Sequence, residues 1–231
     1  MASTVEYDPF DWETAHNPYP VYRRLRDEAP VYYNERLGFW ALSWYDDVVA
    51  AHLNTDDELA GRFLELSFAG HETVAKLIPN GVVALAWFPD ARRSLVADPG
   101  LMPNAVEEML RWDPPSHYQG RWVERDVTLH GVTIPANSRV ILITGAANHD
   151  ERQFADPEYF DIHRGIERHV GFGFGIHLCI GAALARLETR IAFEELLRRY
   201  PHYEVRQPMV RAYSSNVRGL SNLPLALDPA A

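Results

Sequence analysis

A single thiol stands out among the side chains that could do chemistry. Cys179 lies in the run Phe172 to Gly181, F-G-F-G-I-H-L-C-I-G, and it is the only cysteine of 231 residues. An apolar helical pattern from Ala182 to Arg199 follows at once, which puts the sulfur at a helix N-terminus, where backbone N–H groups and the helix dipole favour a thiolate. Gly173 and Gly175 permit a tight turn with close backbone approach, and Gly181 lets the helix lie near a flat ligand. The pattern fits a metal-binding thiolate held against a large planar cofactor. On Cys179 alone, a small buried hydrophobe is the competing reading. A dinucleotide loop is excluded, because Gly171, Gly173 and Gly175 are followed by Ile176 where G-x-G-x-x-G needs its last glycine.

Three further groupings carry chemistry. Glu108 and Arg111 are three residues apart, so they share a helix face and can pair; an exposed surface ion pair is the ordinary form of that spacing. In Ala69-Gly70-His71-Glu72-Thr73 an acid adjoins a hydroxyl, a combination suited to proton relay. The alternative has Thr73 bonding the carbonyl one turn back and Glu72 merely solvated. A zinc-protease H-E-x-x-H is excluded by Ala75 at the second histidine position. Arg121, in R-W-V-E-R-D, offers a guanidinium suited to a bidentate carboxylate contact, with a solvated strand-edge arginine as the alternative.

The elements that must position these groups follow from periodicity and breakers. A short helix is expected from Pro18 to Glu28, then a strand pair at Val31–Asn34 and Gly38–Ser43, and a second short helix at Tyr45–Leu53. A long helix begins at Asp57, apolar around much of its circumference, and Pro79 should kink it or end it near Ile78. Another runs from Asn104 to Trp112. Strands are expected at Val127–Leu129 and Val132–Ile134 around a His130-Gly131 turn, and at Val140–Thr144. Glu151 to Gly171 reads as a long irregular connection, the kind that usually serves a purpose. Weak strands are expected between Tyr203 and Leu227. The fold class is mainly α with a smaller β region.

Composition narrows the setting. With 47% apolar and 23% charged residues the chain can bury a sizeable core. A net charge of −10 argues against nucleic acid as a partner. One cysteine rules out an internal disulfide framework and fits a reducing, cytoplasmic compartment. The N-terminal MASTVEYDPFDWE lacks an apolar run long enough for a signal peptide or membrane anchor.

The pattern F-x-x-G-x-H-x-C-x-G is met at Phe172, Gly175, His177, Cys179 and Gly181, and in this the loop resembles the haem-ligand signature of the cytochrome P450 monooxygenases, of the soluble bacterial type. The resemblance extends to E-x-x-R at Glu108 and Arg111, to the stretch A-A-N-H-D-E-R-Q-F-A-D-P-E-Y-F-D-I-H-R ending at Arg164, and to A-G-H-E-T ending at Thr73. It implies haem b as cofactor with Cys179 as axial iron ligand, and His177 and Arg121 as partners of the propionates. Glu72 and Thr73 would be the catalytic proton relay, with Gly70 making room over the haem. Glu108, Arg111 and Arg164 would be structural, holding the cysteine loop in register. The implied reaction inserts one oxygen atom from O2 into a small apolar organic substrate, with electrons from a ferredoxin or similar donor. Arg92, Arg93, Arg168, Arg186 and Arg190 could present a basic face to an acidic donor.

The resemblance also implies a gap. It covers an N-terminal helix and β region, residues 1–53, and the stretch 57–231 that carries the central helix, the E-x-x-R helix and the cysteine loop. The two join near 54–56 within what should be one structural domain. The family segment between them, with much of the distal and lid helices, is missing, and the few linking residues can span only about 3.3–3.6 Å each. Three consequences are expected: poor order from Leu53 to Gly61, exposed apolar surface on the central helix at Phe63, Leu64, Leu66 and Phe68, and self-association through it. An alternative function follows, a catalytically inactive shortened remnant that binds haem weakly or not at all. A non-haem metal protein using Cys179 and His177 is a third reading.

Overall fold

The computed structural model describes residues 5–8, 11, 13–14, 17–47, 56–214 and 216–228. The chain divides into two compact units, Met1–Leu66 and Ser67–Ala231.

In the first unit, α1 (Tyr19–Glu28) begins directly after Pro18, whose fixed φ suits a helix start. Strands β1 (Val31–Asn34) and β2 (Phe39–Leu42) pair antiparallel with Val31 opposite Leu42. Asn34 is buried and fixes the connection: its Nδ2 donates to the Tyr7 carbonyl (2.8 Å) and its Oδ1 accepts from Leu37 N–H (2.8 Å). The small core holds Val5, Leu25 and Ala29, with Tyr7, Val21, Tyr22 and Tyr32 packed around them. The backbone is helical at 45–47; the rest of the expected Tyr45–Leu53 helix lies outside the described residues. So does the join near 54–56, apart from Asp56.

Helix α2 (Asp56–Trp87) runs without interruption through Pro79, so of the two effects expected of that proline, a kink or an end near Ile78, the end is corrected. Losing one backbone hydrogen bond costs a few kcal/mol. The turns beyond it carry Val82, Val83, Ala84 and Leu85, all buried, and each larger side chain returns roughly 1.5–3 kcal/mol. Its earlier turns are different in character. Phe63, Leu64, Leu66 and Phe68 are 64%, 74%, 62% and 58% exposed.

The second unit adds α3 (Pro89–Ala97) and α4 (Met102–Trp112), linked by a 3₁₀ turn at Pro99–Leu101. Next come β3 (Gln119–Trp122), β4 (Val127–Leu129), β5 (Val132–Ile134), β6 (Arg139–Leu142) and a single helical turn, α5 (Thr144–Ala147). After the long irregular stretch come α6 (Ala182–Arg199) and four short strands, β7 (His202–Val205), β8 (Val210–Arg211), β9 (Leu220–Asn222) and β10 (Leu225–Asp228). All the sheets are two-stranded and antiparallel: β3 with β6, β4 with β5, β7 with β10, and β8 with β9. The core joins Leu77 and Leu85 of α2, Leu95 of α3, five side chains of α4 from Met102 to Leu110, Phe193 and Leu197 of α6, and Phe160 and Ile162 of the irregular stretch. Tyr203 anchors β7 in it by donating to the Val82 carbonyl (2.9 Å), and burial pushes its phenol up to about 12 despite the Arg92 guanidinium over its ring.

Candidate functional site

Helix α4 carries a stripe of apolar residues toward the core, and Glu108 and Arg111 lie within that stripe. Both are 0% exposed, which corrects the reading of an ordinary surface pair. Arg111 grips Glu108 in a bidentate fork, Nε to Oε2 and Nη2 to Oε1, both at 2.7 Å. Buried charges demand complete hydrogen bonding, and the irregular stretch supplies it. Arg111 Nη1 donates to the carbonyls of Asn148 and Pro157, each at 2.9 Å, and Glu108 Oε1 accepts from Asp161 N–H at 2.8 Å. Arg164 reaches the same carboxylate (Nε to Oε1, 3.4 Å) and donates to the carbonyls of Ala155, Asp156 and Tyr159. A stretch without helix or strand is thereby pinned from Ala155 to Asp161 by three charged side chains.

The stretch leads into the cysteine loop. Asn148, fully buried, donates to the Leu110 carbonyl and accepts from Val170 N–H (2.9 Å), tying the start of the loop to α4. A turn follows, closed by Cys179 N–H donating to the Phe172 carbonyl at 2.8 Å. Gly173 and Gly175 have φ of 76° and 63°, in the left-handed region, and a Cβ on Gly173 would sit 2.7 Å from the His177 carbonyl oxygen. The turn sets Cys179 three residues ahead of α6, with its side chain exposed, so the reading of a small buried hydrophobe is corrected. Exposed apolar residues flank it: Phe174, Leu178, Leu184 and Ile180, the last 95% exposed. Phe172 turns inward against the core, and Gly181 lies beside the sulfur, 3.9 Å from where its Cβ would be.

A second polar network, unforeseen in the sequence, buttresses this loop. Glu107 of α4 takes Arg186 of α6 in a bidentate pair (2.6 and 2.9 Å) and His169 Nε2 at 3.0 Å, while Gly171 N–H donates to His169 Nδ1. The Arg186 guanidinium also lies 4.7 Å over the Phe172 ring. Burial alone would raise the Glu107 carboxyl, yet its bonds to His169 and Arg186 and the Arg186 charge hold it down to about 2 from an ordinary 4.5. Its stabilisation is therefore complete above about pH 4.5 and disappears as the pH falls toward 2. In paired urea titrations, the stability gap between wild type and Glu107→Gln should shrink as the pH drops through that window. A gap that stays constant would contradict the assignment.

The remaining candidates sit apart. Thr73 Oγ1 donates to the Ala69 carbonyl at 2.8 Å, the local bond of the alternative reading. No hydrogen bond among the described residues joins Glu72 or Thr73 to the cysteine loop. Gly70 is exposed, with open space where a Cβ would be. Arg121, half-buried on β3, donates to the Gly120 carbonyl (2.8 Å) and has no carboxylate partner among the described residues; the exposed His177 side chain has none either. Of the five arginines expected to form a basic face, Arg93, Arg186 and Arg190 are neutralised by Asp90, Glu107 and Glu194, and Arg92 is turned onto the Tyr203 carbonyl. Arg168, stacked on Phe174, keeps its charge unpaired among the described residues. No three His, Cys, Asp or Glu side chains among the described residues converge as metal ligands, so the Cys179–His177 non-haem reading lacks a donor set. No helix among them is long and apolar enough to cross a membrane.

Comparison with known proteins bears on this arrangement. Residues 46–222 match the family model "Cytochrome P450". The chain is 44% identical over 179 residues to a vitamin D(3) 25-hydroxylase of Pseudonocardia autotrophica, covering 76% of this chain and 44% of that one. It is 40% identical over 190 residues to cytochrome P450 CYP107DY1 of Priestia megaterium, covering 78% and 46%. Among solved structures, the bacillaene polyketide synthase cytochrome P450 PksS of Bacillus subtilis superposes with a TM-score of 0.72 at 37% identity, over 75% of this chain and 46% of that one. P450BioI, solved in complex with an acyl carrier protein bearing hexadec-9Z-enoic acid, gives 0.68 at 39% identity over 71% and 43%. The chain spans about half the length of the relatives it matches. Members of the family bind haem b through a cysteine thiolate and act as monooxygenases. With its α+β architecture, its cysteine loop and these matches, the chain belongs to the cytochrome P450 family.

Proposed function

We propose that this chain forms the thiolate side of a haem-dependent monooxygenase, in which one oxygen atom of O2 is inserted into a small apolar organic substrate with electrons from a ferredoxin or similar donor. The observation that carries this reading is the exposed Cys179 side chain on a rigid turn, ringed by exposed apolar residues. The apolar surface around that thiol is costly in water unless a large apolar group covers it, and the residues present fit such a group. Cys179 would hold haem b, which when bound supplies the redox chemistry and is pushed by the thiolate toward O–O cleavage. Phe172, Gly175 and Gly181 would let the loop lie close to it. His177 and Arg121, both without carboxylate partners among the described residues, would take the two propionates. Gly70 leaves space, Glu72 would hold and pass a proton, and Thr73 would serve only by releasing its bond to the Ala69 carbonyl. Arg168 is the cation best placed by chemistry to meet an acidic electron donor, in a cytoplasmic setting.

The exposed apolar side chains at Phe63, Leu64, Leu66 and Phe68 favour a second reading, a catalytically inactive shortened remnant that binds haem weakly or not at all and self-associates. One experiment separates the two. The haem-loaded chain, supplied with a ferredoxin, its reductase and an apolar probe such as lauric acid, should remain monodisperse and convert electrons into hydroxylated product under the first reading. Failure to take up haem, or aggregation with electron uptake but no product, would establish the second.

A further inference from the structure

Away from the cysteine loop, cationic side chains gather around one carboxylate. Arg218 Nε donates to Asp113 Oδ1 at 2.8 Å, and Arg211 Nη1 lies 3.5 Å from Asp113 Oδ2 while donating to Asn80 Oδ1 at 3.1 Å. Lys76 lies directly against Gly219 and, among the described residues, reaches only the Leu220 carbonyl, at 3.5 Å. Asp113 is the one carboxylate within ion-pair distance of Arg211 and Arg218 among the described residues, and Lys76 has none, so two positive charges meet one negative beside an unpaired third in a chain whose net charge is −10. His117 adds a fourth nitrogen group: its Nε2 is 3.5 Å from Asp113 Oδ1, too long for a good hydrogen bond, and is buried without another partner.

Arg211, Arg218 and His117 border a cavity of about 170 Å3, lined also by Ser214, Asn216 and Gly219 among others, with Lys76 behind Gly219. Its donors are largely unspent. Both Nη groups of Arg218, and Nε and Nη2 of Arg211, have no acceptor among the described residues, and the Ser214 hydroxyl accepts from Val217 N–H, which leaves its own proton free. The cavity is the size of a carboxylate or phosphate head, and paired guanidinium forks match the geometry of such oxyanions. We infer that this cavity is an oxyanion-binding site, formed by Arg211, Arg218 and Ser214 with His117 at its edge and the Lys76 charge behind Gly219. The electrostatics agree: burial first, then repulsion from Arg218, lowers the Arg211 pKa despite Asp113, a strain that a bound anion relieves. The site stands independently of the haem reading.

Isothermal titration of the whole chain at constant ionic strength, with sodium chloride as the balancing salt, tests it. Inorganic phosphate and benzoate are the two probes. Saturable one-to-one binding is expected; saturation by phosphate alone points to a phosphate source, by benzoate alone to an organic acid, and by both in competition to a shared oxyanion pocket. Arg218→Gln should weaken binding at least about tenfold, the loss of a charge-assisted hydrogen bond. Because that variant also strips Asp113 of a partner, Ser214→Ala and Lys76→Gln, which leave the Asp113 contacts intact, should each weaken binding by a smaller factor. Absence of saturation with either probe, or affinity unchanged in Ser214→Ala and Lys76→Gln, would overturn the assignment.

Discussion

Replacing Glu108 or Arg111 by alanine is expected to destabilise the second unit by roughly 3–5 kcal/mol, the cost of leaving one buried charge without its partner. Whole domains are stable by only about 5–15 kcal/mol, so either variant should lose a large part of that margin and melt at a clearly lower temperature. The loss reaches beyond the pair. Arg111 and Glu108 together hold the backbone of Asn148, Pro157 and Asp161, and Arg164 leans on the same carboxylate. The stretch from 148 to 164 should therefore become the first site of proteolytic cleavage. Arg111→Lys keeps the charge but loses the bidentate fork, and should fall between wild type and alanine. Wild-type melting temperature and protease resistance in Glu108→Ala would contradict the structural role.

Cys179→Ser is the second large effect. The substitution is nearly isosteric at an exposed position, so the fold should be retained, with an unchanged melting temperature in the absence of haem. Haem affinity should fall by at least about 100-fold, since even outer-shell partners of a metal ligand cost 10–100-fold, and a serine hydroxyl is not deprotonated to replace the thiolate. Titration with haem, followed in the visible spectrum, reads this directly. Equal affinity in wild type and variant would exclude Cys179 as the ligand.

What was legible in the sequence was local. The E-x-x-R spacing places Glu108 and Arg111 on one face of one helix, and α6 spans Ala182–Arg199 as its periodicity predicts because Gly181 precedes it and Pro201 follows. The glycine-rich turn before Cys179 follows from residues that tolerate positive φ. What escaped depends on distant partners. The Glu107 network joins residues 62 and 79 positions apart, and nothing near Glu107, His169 or Arg186 announces it. The burial of Glu108 and Arg111 is likewise set by the irregular stretch folding over them. Pro79 suggested a helix end, and the apolar turns after it overrode that local preference. Helix α3 lies outside the expected elements, although Pro89 at its first turn and Asp90 beside it are ordinary start signals. Strand β3 has no clean alternation to mark it, and its pairing with β6 supplies the missing order.

The central claim, that Cys179 presents a thiolate to haem iron, is tested most directly by the visible spectrum of the haem-loaded chain after reduction and exposure to carbon monoxide. A strongly red-shifted Soret band, absent in Cys179→Ser, is the predicted result. A band at the position given by histidine-ligated haem proteins, or no haem-dependent band at all, would contradict it.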